Sequence, residues 1–282
     1  MSRIAYVNGI YLPHADASVH IEDRGYQFAD GVYEVWSVRG AILQDHQPHL
    51  DRLMRSLSEL KIPITFSTGS LNVILNEIIR RNRINSGMVY LQITRGVAPR
   101  DHEWPKSIKP SMVLTARSTS FSAAEKQANA GVEVITLPDI RWKRCDIKSV
   151  SLLPNVLAKH QAKEQGAYEA WMVDKQGFIT EGSSTNVWII SQDNVLITRN
   201  TSTRILSGVT RLAVIEIAKQ FQLTVEERKF TVLEAQQAKE AFITAATALV
   251  MPVTKIDGMK INTGKPGAVT LALREAYIGQ GA

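Results

Sequence analysis

The sequence predicts an α/β (α+β) fold in two lobes, and three observations lead there. Short β-branched runs alternate with amphipathic stretches of helical period along the chain. The 282 residues are 44% hydrophobic, material for one large core or two ordinary ones. Near the middle, the polar stretch STSFSAAEKQANAG, from Ser118 to Gly131, breaks the pattern and marks a linker or domain junction.

Taken in order, GVYEVWSV and AILQ flank Arg39-Gly40 and read as a hairpin. From Pro48, the residues Leu50, Leu53, Met54, Leu57 and Leu60 keep helical spacing, with proline suited to a first turn. A second helix follows with Leu71, Ile74, Leu75 and Ile78 on one face. MVYLQIT and SMVLTAR read as strands joined by a long loop, RGVAPRDHEWPKSIKP. Beyond the polar stretch, VEVITL is a strand, and a helix runs from about Pro154 to Gln165 with Gly166 as its stop. WMVD and FIT form a hairpin around Lys175-Gln176-Gly177, and TNVWII is another strand. Gly208 opens a helix with Val214, Ile217, Ala218 and Phe221 as its core positions.

Composition narrows the function classes. The single cysteine excludes an internal disulfide and a cysteine-rich metal cluster, and it suits a reducing, cytoplasmic location. The N-terminal MSRIAYVNGIYLP lacks the apolar stretch of a signal peptide, and AFITAATALVMPV is too short and broken to span a membrane. A net charge of +6 permits nucleic-acid binding, but the basic residues are scattered and carry no recognition signature. A phosphate- or carboxylate-bearing small ligand accounts for the excess equally well. No histidine pair has metal-ligand spacing, and no metal is expected.

Lys148 stands out within CDIKSVSLL, Cys145 to Leu153. A lysine pressed into an apolar setting loses its proton readily and becomes a nucleophile, although most such lysines simply reach out to water. It falls in a loop between a strand and a helix, where reactive groups often sit. Glu181 follows a short strand and taken alone reads as the polar start of a turn. Ser207-Gly208-Val209-Thr210 offers helix-start amides and a hydroxyl, suited to a phosphate or to ordinary capping. Arg100-Asp101-His102 lies in a proline-flanked loop, either as a carboxylate clamp or as a solvated turn. Arg52 points opposite Leu53 and Leu57 on the helical wheel, toward water. The sequence has no GxSxG elbow, GxxxxGK[ST] loop or GxGxxG fingerprint. One lysine, one carboxylate, a phosphate-ready helix start and a carboxylate-ready loop match what pyridoxal 5′-phosphate requires.

Several segments, in order, resemble the fold-type IV, or class IV, pyridoxal-phosphate-dependent aminotransferases: EDRGYQFADGVYEV (Glu22–Val35), HLDRL (His49–Leu53), TRGVAPRDH (Thr94–His102), DIRWKRCDIKS (Asp139–Ser149) and TEGSSTNV (Thr180–Val187). Within that family the motifs are most similar to its bacterial D-amino-acid members. The resemblance implies a small N-terminal α/β domain over residues 1–118, a linker over 119–131 and a larger C-terminal domain over 132–282 that carries the cofactor lysine. It implies a homodimer with the cofactor at the domain interface. Lys148 matches the Schiff-base lysine and Glu181 the carboxylate facing the pyridine nitrogen; Arg52, Val209 through its backbone, and Thr210 match phosphate ligands. Tyr33, Arg100 and His102 match the trap for the substrate α-carboxylate, with Arg100 and His102 reaching in from the partner subunit. Ala245 and Ala246 depart from the family's serine and threonine, leaving Thr247 and backbone amides to serve the phosphate. The implied reaction moves the amino group of D-alanine or a similar D-amino acid to a 2-oxo acid such as 2-oxoglutarate, with ping-pong kinetics. Branched-chain L-aminotransferases, (R)-amine transaminases and aminodeoxychorismate lyase share the fold. The charged Arg100-x-His102 pair separates the first of these, which would keep that side apolar.

Overall fold

A computed structural model of the chain describes residues 3–280. It divides into two compact units, one made of residues up to Ser120 together with Ile147–Ser151, the other of Phe121–Asp146 and the residues from Leu152 onward.

In the first unit the elements are strands β1 (Ile4–Val7) and β2 (Ile10–Pro13), helix α1 (Arg24–Phe28), strands β3 (Gly31–Arg39) and β4 (Ile42–Leu43), helices α2 (His46–Glu59) and α3 (Thr68–Asn82), and strands β5 (Ser86–Thr94) and β6 (Ser111–Ser118). The strands form an antiparallel sheet in the order β2-β1-β6-β5-β3-β4. The alternation of β3 and β5 turns Val32, Trp36, Val38, Val89, Leu91 and Ile93 to one face. Onto that face pack Leu50, Leu53 and Leu57 of α2 with Leu71, Leu75 and Ile78 of α3, as their spacing predicts.

The lysine segment belongs to this unit, a correction to its expected place in the C-terminal domain. The reason is backbone pairing. Tyr33 N–H donates to Lys148 O at 3.0 Å, Val150 N–H donates to Gly31 O at 3.0 Å, and Ile147 joins the core.

The second unit begins with helix α4 (Phe121–Ala130) and strand β7 (Val132–Pro138), followed by helix α5 (Leu153–Glu164) and strands β8 (Glu169–Val173), β9 (Ile179–Gly182), β10 (Asn186–Ile190) and β11 (Leu196–Thr198). Helix α6 (Val209–Gln220), strand β12 (Val225–Glu227) and helix α7 (Val232–Gln236) come next, then strands β13 (Glu240–Ala245), β14 (Leu249–Ile256) and β15 (Met259–Lys260) and helix α8 (Ala268–Gln280). The mixed sheet runs β12-β11-β10-β13-β14-β7-β8-β9, with β15 on β14. Its strand β10 is buried on both faces. Val187 and Ile189 of β10 face one core with Phe230 and Ala235, while Trp188 and Ile190 face another with Val214 and Ile217 of α6 and Leu273 of α8. This explains why Val187–Ile190, the VWII of TNVWII, is continuously apolar.

The stretch read as a linker is therefore mostly helix α4. Its alanines favour helix, Ala128 is fully buried, Glu125 pairs with Arg274 of α8 at 2.5 Å, and Gly131 ends the helix at φ +74°. Phe221, expected in the core, is instead 45% exposed just beyond α6. Among the described residues no helix is long and apolar enough to cross a membrane.

Candidate active site

In β3 the inward face that carries Val32 and Trp36 also carries Glu34, whose side chain is completely buried. A buried carboxylate needs partners, and one stripe of α2 supplies them. His49 Nδ1 lies 2.8 Å from one Glu34 oxygen, and Arg52 donates from Nε and Nη2 to both oxygens at 2.7 and 2.9 Å. Burial by itself raises the Glu34 carboxyl, but the charge and hydrogen bonds of Arg52, helped by His49, hold it down at about 2. Burial lowers the His49 imidazole, against the opposing pull of the Glu34 carboxylate at its Nδ1. Arg52 is thus not solvated as the helical wheel suggested: its side chain is 10% exposed because Glu34 draws it inward.

On the same helix Ser56 accepts the Lys148 backbone N–H at 3.3 Å. The Lys148 ammonium stands 4.1 Å from the centre of the Tyr33 ring, which stacks on Tyr90 at 5.7 Å. Lys148 is half-buried, while its neighbours Ile147 and Ser149 are buried. The apolar setting read from the sequence describes those neighbours more than the ammonium. The first unit therefore gathers Tyr33, Arg52 and Lys148 around α2 and β3. Arg100 and His102 converge elsewhere, on the Phe28 ring, at 5.1 and 5.3 Å from its centre. Both are exposed, and within one chain neither makes a hydrogen bond or ring contact with Tyr33.

In the second unit Glu181 is the last residue but one of β9, with its side chain 7% exposed. It forms an ion pair with Arg141 and accepts from Asn186 Nδ2 and the Leu206 N–H, both at 3.0 Å. Arg141 is held in turn by a two-point contact with Asp139 at 3.0 and 2.8 Å. Burial pushes the Glu181 carboxyl up, and Arg141 opposes that rise without cancelling it. The turn after Glu181 is pinned by the fully buried Glu169, which accepts from Ser183 Oγ, from Ser184 Oγ at 2.9 Å and from the Ala170 N–H at 2.8 Å.

Gly208 is the N-cap of helix α6 and makes no side-chain capping bond. A Cβ at Gly208 would sit 2.1 Å from Asn186 Oδ1, so the residue type is imposed by the side chain that also contacts Glu181. Val209 and Thr210 are buried, and the Thr210 hydroxyl lies 3.3 Å from that of Tyr277. Thr247 is exposed in the turn between β13 and β14, next to half-buried Ala245 and Ala246.

Residues 31–256 match the family model for amino-transferase class IV. This chain belongs to the class IV aminotransferases. The aminotransferase is 42% identical over 269 residues to the D-alanine aminotransferase of Bacillus licheniformis, spanning 95% of this chain and 94% of that protein. Its fold matches that of an Escherichia coli branched-chain amino acid aminotransferase with a TM-score of 0.92 at 22% identity, over 100% of this chain and 95% of the other. A branched-chain amino acid aminotransferase from Thermobaculum terrenum, solved in its PLP form, gives a TM-score of 0.86 at 21% identity, over 99% and 94% of the two chains.

Reading the sequence residue by residue passed over Glu34, His49, Arg141 and Asn186 in this aminotransferase. A signal was there: a glutamate on the Val32–Trp36 face of a strand, and His49 one helical turn before Arg52.

Proposed function

We propose that this aminotransferase moves the amino group of D-alanine, or a similar D-amino acid, to a 2-oxo acid such as 2-oxoglutarate, with pyridoxal 5′-phosphate as cofactor. The observation that carries the substrate class is the convergence of Arg100 and His102 on one aromatic ring. A paired guanidinium and imidazole suit an α-carboxylate, and an apolar side-chain pocket has no use for them. The relation to D-alanine aminotransferases over nearly the whole chain supports the same reading.

The donor set fits the cofactor. A carboxylate has about four lone-pair sites. Arg141, Asn186 and Leu206 supply donors to three of those on Glu181, so one further donor, such as a protonated ring nitrogen, can be accepted. The helix-start amides at Val209 and Thr210 suit a phosphate, as does the Arg52 guanidinium, whose plane Glu34 fixes. The Thr210 hydroxyl can accept from Tyr277 and donate to the phosphate at the same time, and Thr247 adds a second hydroxyl.

Bound pyridoxal phosphate supplies an electron sink for the charge left when the substrate α-proton departs. Lys148 would hold the cofactor through Nζ, and its free amine would be the group that takes up the proton from the substrate Cα. Glu181 would keep the ring nitrogen protonated, since a nearby negative charge favours the cation. Tyr33 orients the α-carboxylate on Lys148's side, while Arg100 and His102 enter from the second subunit of a homodimer. The unpaired Cys145 supports a cytoplasmic location.

The likeness of fold to branched-chain enzymes favours a second reading, transamination of L-amino acids. One experiment separates the two: the visible spectrum of the cofactor-loaded protein before and after separate additions of D-alanine and L-alanine. Bleaching of the yellow band by D-alanine alone supports the proposal. Bleaching by L-substrates alone moves the enzyme to the branched-chain class, and a protein that takes up no cofactor sinks both readings.

A further inference from the structure

We infer that Arg24 is the positioning residue of the carboxylate trap, holding the Arg100–His102 loop by its backbone. The inference rests on the reading of Arg100 and His102 as that trap.

Arg24 is 3% exposed. Its Nη1 donates to Asp101 O at 2.6 Å and to Glu103 O at 3.5 Å, and its Nη2 to His102 O at 3.5 Å. One guanidinium thus spans the carbonyls of the residues flanking and including His102, a task matched to a rigid fork of donors. The fork is aimed by Asp30, which accepts from Arg24 Nε at 3.0 Å. Asp30 also holds Arg95, at 2.7 and 3.0 Å. Arg95 donates to Leu60 O and Lys61 O and lies 3.9 Å from the centre of the Trp104 ring, on the far limb of the loop. The base of the loop is pinched as well. Gly96 has φ +111°, and a Cβ there would meet Lys109 O at 2.0 Å.

Arg100 and His102 are therefore exposed side chains on an anchored backbone. The Phe28 ring is shared, with the Arg24 and Arg100 guanidinium carbons at 4.8 and 5.1 Å from its centre. Donors fixed before the ligand arrives spare the ordering entropy that a mobile loop would lose on binding. Arg24 touches no substrate in this scheme, so its removal weakens recognition of the carboxylate while the chemical step proceeds.

The test compares the holoenzyme with its Arg24→Lys variant on D-alanine and on D-alaninamide, which lacks the carboxylate. A lysine keeps the charge but cannot span the carbonyls. The expected result is a KM for D-alanine raised about tenfold at near-unchanged kcat, with preference over the amide reduced by a similar factor. Wild-type turnover of D-alanine is the control that belongs to the functional reading. With that turnover present, an unchanged KM and preference overturn the clamp, and so does a fall in kcat at constant KM. If the variant does not fold, trypsin digestion of the wild-type protein decides. The clamp requires the bonds after Arg100 and Lys106 to survive as long as the fold does, and early scission there overturns it.

Discussion

Arg141 and Glu181 form a buried ion pair, with side chains 4% and 7% exposed. Replacing Arg141 with methionine strands the carboxylate without its cation, which typically costs about 3–5 kcal/mol. Burial already raises the Glu181 carboxyl, so the folded state holds its proton more tightly than the unfolded chain does. Stability contributed by such a group falls as pH rises above the ordinary carboxylate range. Arg141→Met should therefore lose stability at pH 7 in urea unfolding and regain part of it on acidification. A denaturation midpoint equal to wild type at pH 7 would refute this.

Glu34 predicts the opposite pH dependence. Its carboxyl is held at about 2, below the ordinary 4.5. The associated stability is present above pH 4.5 and is lost as pH falls from there toward 2. The size of the shift corresponds to about 3 kcal/mol. Wild type should lose stability steeply across that window, while Glu34→Gln should start lower at pH 7 and show a flatter acid limb. Parallel limbs in the two proteins would dismiss the idea.

Gly208→Ala places a methyl group against Asn186, which donates to Glu181. A hydrogen bond to a charged group contributes roughly 1.5–3 kcal/mol. Its disturbance should weaken pyridoxal phosphate retention about tenfold or more, read by equilibrium dialysis. Wild-type retention would show that the glycine matters only for the turn.

Lys148→Ala should lower transamination by about a thousandfold or more, as expected for loss of a group that is both covalent anchor and proton carrier. The half-reaction with D-alanine, followed by absorbance in a stopped-flow instrument, measures this directly. Near-wild-type rates would remove Lys148 from its role. Glu181→Gln should bind cofactor but turn over slowly, and unchanged turnover would remove Glu181 as well.

Local regularities were legible in the sequence. The leucines of α2 and α3 revealed two helices, Gly166 marked a helix end at φ +77°, and the Arg39-Gly40 hairpin appeared where its turn residues put it. Pairings across long stretches of chain were not. Arg52 looked solvated because helical period compares a residue only with its own helix, whereas its partner Glu34 lies on a strand. The α4 segment looked like a linker because its polar letters outweighed its alanines, of which Ala128 is the buried one. Lys148 was found, but its place in the first unit depends on backbone pairing with Gly31 and Tyr33, which leaves no mark on composition.

That pairing governs how the protein can be dissected. A fragment ending at Ser120 would lack Ile147, a member of its own hydrophobic core, and would leave the Gly31 carbonyl and Tyr33 amide without partners. The first unit closes only after the ribosome has moved well past its apparent end. The lysine is thus delivered by the same stretch of chain that seals the core, so a properly closed first unit cannot form without presenting it.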